Sequence, residues 1–441
     1  MHPGRSLFAG LSALAALAAS SSLGLATPAT PDCGDPSFGF TVENRMGTTN
    51  SYGYEPGIEI DSKGMIWTTA HKLSLVREDG TRLSSFLHRS TDGGATFEDV
   101  QSLVPGAHPL WAFEGDLAVD GKDRMYFVDT WAADNHFYRF GPDGTFETAR
   151  PLLPTAEVDD RPWLAAHHDG FVYYMSNTGL HPTGRLTIHR STDRGETFDA
   201  GFVLPESGWG FLDADPRSDH VYAVVNDVFY GGGAFLGAAK RVFAWVSPDR
   251  GETWRRVKIA DYAHGYNVTP DHRDGFPTVA VAPDDGTVVA LWTDNGRAVM
   301  LARSTDFGES WRVYDVTPFE GRFSYPWVTM GADGVVGIVF EASRTGSNLQ
   351  HIYAMQWRAD AGCIEPSTGQ RCEGPASVTA RVNTRSIGTD PAGQADFFQT
   401  EISPTTGAQH VVWTGSGKQL WHARSLAAPS MGSRICGTVA P

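Results

Sequence analysis

An eight-residue phrase recurs four times in this chain and restricts its fold more than any other feature: Ser90-Thr91-Asp92-Gly93-Gly94-Ala95-Thr96-Phe97, Ser191-Thr192-Asp193-Arg194-Gly195-Glu196-Thr197-Phe198, Ser247-Pro248-Asp249-Arg250-Gly251-Glu252-Thr253-Trp254 and Ser304-Thr305-Asp306-Phe307-Gly308-Glu309-Ser310-Trp311. Each position of the pattern Ser-x-Asp-x-Gly-x-(Thr/Ser)-(Trp/Phe) solves part of a hairpin problem. The Asp carboxylate accepts hydrogen bonds from backbone N–H groups of its own turn, and Gly supplies the positive φ that a tight turn needs. Ser and Thr hydroxyls close the loop from side to side. The terminal aromatic folds beneath the turn and buries apolar area against the sheet.

The phrases begin at residues 90, 191, 247 and 304, in steps of 101, 56 and 57, so the first step spans two units and one unit lacks the phrase. A second, strand-like phrase counts the units directly. It recurs at 56–61, 115–120, 162–167, 210–215, 277–282, 326–331 and 398–403, each time alternating with period two and running into a turn. A second strand follows each, then a third that leads into the eight-residue phrase, then a less regular fourth. Four-stranded antiparallel units of roughly 40–50 residues are the signature of a β-propeller. The seventh unit lacks a fourth strand, while Phe40-Thr41-Val42-Glu43-Asn44 matches the outer strand of the sixth, so the N-terminal strand is expected to complete the last blade and remove an open edge. Insertions at 229–240 and 359–375 are expected to extend blades 4 and 6.

The eight-residue phrase closely resembles the Asp-box, or bacterial neuraminidase repeat, of the sialidase-like β-propellers. The resemblance covers nearly the whole mature chain. It implies an all-β fold, a single seven-bladed propeller with six blades as the alternative, in which the boxes join third and fourth strands, away from the site. Sialidases of this group carry Arg-Ile-Pro at the start of the first inner strand, where the Arg begins a three-arginine clamp. This chain has Tyr54-Glu55-Pro56 there.

The 441 residues carry 49 Gly and 26 Pro, suited to short strands and turns, and a formal net charge of −16, which argues against a nucleic-acid groove or an anionic membrane as partner. Residues 1–26 read as a cleaved signal peptide, with Arg5 before an apolar small-residue run, leaving 27–441 as a secreted propeller. Four cysteines in an exported chain suggest disulfides. Cys363 and Cys372 would staple one loop, and Cys33 with Cys436 would tie the two termini. Nothing in the pattern asks for a metal or cofactor, and a monomer is expected.

In a propeller the segments just before the inner strands line one mouth of the central channel, the default ligand site. They contribute Tyr54, Glu55, Glu114, Asp116, Asp159, Asp160, Arg161, Trp209, Asp274, Arg322, Tyr325 and Asp396. Glycoside chemistry needs a protonated acid, a second carboxylate or a tyrosine nucleophile, and a cation where the sugar is acidic. On that reading Glu55, Glu114, Asp160 and Tyr325 are the catalytic candidates, and Asp116, Arg161, Arg322 and Asp274 the substrate-binding ones. The same residues also fit turn capping and mutual pairing. Three functions follow: a secreted sialidase-like glycoside hydrolase acting on an extracellular glycan or glycoprotein, a non-catalytic glycan- or protein-binding propeller, and a propeller polysaccharide lyase.

Overall fold

A computed structural model describes residues 38–41, 43–46, 53–76, 82–100, 114–131, 134–152, 159–166, 170–178, 185–205, 208–227, 230–231, 234–235, 239–265, 268–269, 272–359, 363–364, 371–372, 375–387, 397–415, 419–426 and 438–439. Cys33 and Cys436 lie outside them.

Seven antiparallel sheets form the ring, each led by an inner strand: Tyr54–Ile60, Glu114–Val119, Asp159–Ala166, Gly210–Ala214, Thr278–Val281, Gly321–Met330 and Thr400–Ile402 for blades 1 to 7. In blade 7 the fourth strand is Asn44–Arg45, paired with Leu420–Arg424 so that Asn44 faces His422 and Arg45 faces Trp421. The N-terminal segment therefore closes the ring. Blade 5 gains a fifth strand, Thr438–Val439, that the sequence reading does not anticipate. Insertions in blades 4 and 6 are small hairpins, Tyr230–Gly231 with Ala234–Phe235 and Cys363–Ile364 with Arg371–Cys372; in the second, Cys363 stands directly opposite Cys372.

The four boxes are built alike. In the first, Gly94 N donates to Ser90 Oγ at 2.9 Å, and Thr96 gives Asp92 both its N–H, at 2.9 Å, and its hydroxyl, at 2.6 Å. The Thr96 hydroxyl and backbone hold the Asp92 carboxyl down to about 2, and Ser310 does the same for Asp306. The box also reaches sideways. Its fourth residue is left-handed in every copy (Gly93, Arg194, Arg250, Phe307), and in three copies its carbonyl accepts from the preceding blade, from Arg139 at 2.9 Å, Arg190 at 3.3 Å and Arg255 at 3.2 Å; in the first copy the next residue, Gly94, also left-handed, accepts from Asn44 at 3.0 Å. Phe97 meets His422, Phe198 meets Phe137 and Trp254 stacks on Phe202, each again on the preceding blade. Blade 2, one of the three units without a full box, keeps a shortened one, Gly141-Pro142-Asp143-Gly144-Thr145-Phe146. There Asp143 binds Thr145, and Arg89 of blade 1 donates to Gly144 O at 3.0 Å.

The box glycine is fixed twice over, by its left-handed backbone and by space. A Cβ on Gly195 (φ 78°) would lie 2.1 Å from the Phe137 ring, whereas one on Gly334 (φ 68°) meets nothing within 4 Å. Gly195→Ala is therefore expected to cost about 2–5 kcal/mol, left-handed strain plus overpacking, against about 1 kcal/mol for Gly334→Ala. Equilibrium denaturation of both variants checks this; equal losses would deny the inter-blade role.

Candidate functional site

Three inner strands begin with the same irregularity. In blades 1, 3 and 6 the register slips between Tyr54 and Gly57, between Asp160 and Trp163 and between Ser324 and Trp327, a β-bulge in each case. The bulged pairs are Glu55-Pro56, Arg161-Pro162 and Tyr325-Pro326. All three residues before proline are left-handed, with φ of 52°, 56° and 51°. The other non-glycine residues with positive φ among the described residues are in turns or boxes; these three stand at strand starts, on one mouth of the channel, where L side chains hold such a backbone at a cost of about 1–3 kcal/mol.

Packing gathers this mouth on an aromatic floor. The Arg161 guanidinium lies 4.3 Å from the Trp209 ring centroid and 5.9 Å from that of Phe276, and Trp209 meets Phe276 edge-on at 5.2 Å. Gly275, beside Phe276, approaches so closely that a Cβ there would lie 3.1 Å from Tyr325 Cα. Glu55 and Tyr325 are buried, and Arg161 is half-buried. Beneath the floor, rings meet across the axis: Trp163 of blade 3 touches Phe211 of the adjacent blade and, from blades farther round the ring, Phe276, Trp327 and Phe397, the last at 4.9 Å. These rings fill the channel as a plug.

Farther along the inner strands, below the plug, is a cavity of about 230 Å³ bordered by Glu59, Asp213, Glu401, Thr329 and Gln399. Here side chains cap the unpaired N–H groups of the next inner strand. Gln399 Oε1 accepts from Ile58 N at 2.9 Å while its Nε2 donates to Asp116 at 3.1 Å; Asp116 accepts from Leu164 N at 2.9 Å, and Asp213 from Val281 N at 2.8 Å. Glu401 accepts from the Thr329 hydroxyl at 2.9 Å. Burial pushes Asp116 and Asp213 up to about 7 and Glu401 up to about 8, and burial beside Glu401 raises Glu59 well above the usual range.

The structure thus separates the sequence candidates. Glu55, Arg161 and Tyr325 share the mouth with Trp209. Asp116 sits at plug level as an inter-blade tie. Asp274 is buried in blade 5, where its Oδ1 accepts from Gly296 N at 2.7 Å and from the Thr293 hydroxyl at 3.0 Å. Arg322 is exposed three residues before Tyr325, on the rim. Glu114 and Asp160 are placed by backbone register, opposite Thr130 and Asn177; their side chains, and all of Asp396, lie outside the described residues. Two groups were missed by sequence reasoning. Glu341 is fully buried and stands opposite Ser324, next to Tyr325. His71, opposite Tyr54, is lowered by burial to about 3 and is neutral. Among the described residues no three His, Cys, Asp or Glu side chains converge as a metal site.

The fold is a seven-bladed β-propeller. No family model and no curated protein sequence matches the chain. Solved structures do. An ulvan lyase, described as a polysaccharide lyase and bound to -[GlcA(1-4)Rha3S]-, aligns over 89% of this chain and 96% of its own, with 10% identity and a TM-score of 0.51. The NanB sialidase of Streptococcus pneumoniae aligns over 89% and 71%, with 12% identity and a TM-score of 0.42, and an α-L-arabinanase of Penicillium chrysogenum over 69% and 94%, with 12% and 0.45. The first of these similarities shows the fold.

The channel carboxylates set a pH response. Groups with raised folded pKa values bind protons that the unfolded chain releases above about pH 4, so stability falls as pH climbs until those values are passed. Buried His71, His88 and His410, lowered by burial to about 3, 4 and 4, act oppositely and lose stability below about pH 6.5. Between about pH 6.5 and 8 the carboxylates dominate, so the unfolding temperature is expected to fall across that window, less steeply in Glu401→Gln. A rise there in thermal melts would contradict the assignment.

Proposed function

We propose that this chain is an exported, monomeric carbohydrate-active propeller whose mouth cleaves glycosidic bonds of an acidic extracellular glycan, by hydrolysis in the first instance. The observation that carries the reading is the set of three left-handed residues before proline. Three blades independently hold Glu55, Arg161 and Tyr325 in backbone that side chains disfavour, and they do so at one mouth, over aromatic rings that suit a sugar face. Packing alone asks for none of these polar groups.

In this reading Tyr325 attacks the anomeric carbon, and Glu341, one strand over, takes the phenolic proton. Glu55 protonates the departing glycosidic oxygen, then as a carboxylate activates the water that releases the sugar from Tyr325. Arg161, stacked and so pre-oriented, binds the sugar's carboxylate. A uronate elimination is the second reading, favoured by a mouth that holds one arginine among the described residues where sialidase chemistry uses three; there Tyr325 shuttles the proton and Arg161 neutralises the carboxylate.

Aryl sialosides, aryl uronides and uronate polymers assayed with the protein should separate these readings. Tyr325→Phe is expected to lose about 100-fold or more in kcat, and Arg161→Ala to lose activity on acidic substrates alone. An unsaturated product would select elimination. No turnover of any substrate by folded protein would leave a binding module. Export has its own test: the N-terminal residue of secreted protein should lie at or near position 27, and peptide mapping without reductant should link Cys363 to Cys372.

A further inference from the structure

We infer that the rim of blade 6 carries a second, anion-binding subsite, in which Arg322 and Arg344 hold a carboxylate- or sulfate-bearing sugar of a polyanionic glycan whose reacting unit lies at Tyr325. This extends the reading of the mouth as a glycan site and rests on it.

The first observation is the length of the blade. Before the bulge, the inner strand of blade 6 continues in register for four pairs, Gly321 with Arg344, Arg322 with Ser343, Phe323 with Ala342 and Ser324 with Glu341; blade 1 has one such pair and blade 3 two. At about 3.3 Å per residue, Arg322 stands roughly 10 Å from Tyr325 along the strand. That separation removes it from the reacting sugar and places it on the path of a chain leaving the mouth.

The second observation is the chemistry of the groove formed there. Arg322, Ser343, Arg344, Ser347, Asn348 and Gln350 line it, two cations and hydrogen-bonding neutral groups without a carboxylate. In a chain with 51 acidic against 35 basic residues, that local sign runs against the average. Arg344 lies over two rings, 4.3 Å from the Phe319 centroid and 5.9 Å from that of Tyr353, so its guanidinium is held flat and oriented before any ligand arrives. Arg322 is exposed and forms no ion pair among the described residues; nor does Glu320, the nearest acidic residue in sequence. A planar guanidinium fork fits a carboxylate or a sulfate through paired N–H groups, and a neutral sugar gives it far less.

Binding of three probes to wild-type protein and to Arg322→Glu, by calorimetry over a salt series, tests this: oligogalacturonate for carboxylate, dextran sulfate for sulfate, and unsubstituted dextran as the neutral chain. The expected result is at least a tenfold loss of affinity for one or both anionic probes in the variant, a shallower salt dependence, and unchanged binding of dextran. The anionic probe that responds identifies the group recognised. Arg344→Lys, which keeps the charge and loses the fork, should weaken the same probe with an unfolding temperature close to wild type. Equal anionic binding by wild type and Arg322→Glu, no anionic binding by wild type, or an equal loss on dextran would each overturn the subsite. Turnover of the short aryl glycosides reads the mouth separately: selective anionic binding without turnover is a failure of the cleavage reading, and turnover without selective binding is a failure of the subsite.

Discussion

Every blade turns an open sheet edge toward the axis, and the ring depends on how those edges are satisfied. An inner strand has a partner on one side alone, so its channel-facing N–H groups need acceptors or water. Here the acceptor comes from the neighbouring blade at three points around the ring: Gln399 to Ile58, Asp116 to Leu164, and Asp213 to Val281. Buried carboxylates in the channel follow from that arrangement, and their raised pKa values follow from burying them. Their polarity is structural first.

A second set of ties acts at larger radius. In each box the fourth or fifth residue, left-handed, presents its carbonyl to an Asn or Arg of the preceding blade, and the box aromatic inserts between the same two sheets. Radial sheets tied at the axis and again near the rim cannot rock independently. That rigidity lets three bulges at the mouth hold left-handed residues before proline without relaxing to extended strand. The boxes are thus remote from the mouth and still serve it.

The recurrence of boxes and inner-strand phrases made the blade count, the N-terminal closure and both hairpin insertions legible in the sequence. The site was legible by segment and not by depth. Asp116 and Glu55 both precede apolar inner-strand residues, but Glu55 lies in a bulge at the mouth while Asp116 is below it, pointing to Leu164 N. One extra residue in the strand makes that difference, and a period-two pattern does not register a bulge. The text did contain a signal: Glu55-Pro56, Arg161-Pro162 and Tyr325-Pro326 share proline at the bulge, while Gly115-Asp116 does not. Glu341 gave no local cue, because its place beside Tyr325 comes from cross-strand register.

The plug divides the channel into two chemical compartments. Trp163, Phe211, Trp327 and Phe397 close the axis between the mouth and the lower cavity, so Glu59, Asp213 and Glu401 border a space that a ligand on the floor of Trp209 and Phe276 does not share. Proton transfer at the mouth must then come from groups above the plug. Of the side chains described there, Glu55, Tyr325 and Glu341 carry an exchangeable proton or the carboxylate to receive one, while His71 is kept neutral by burial and Arg161 keeps its charge. An acid, a phenol and a cation on one apolar floor suit a reaction in which a glycosidic oxygen gains a proton while an acidic sugar is held in place.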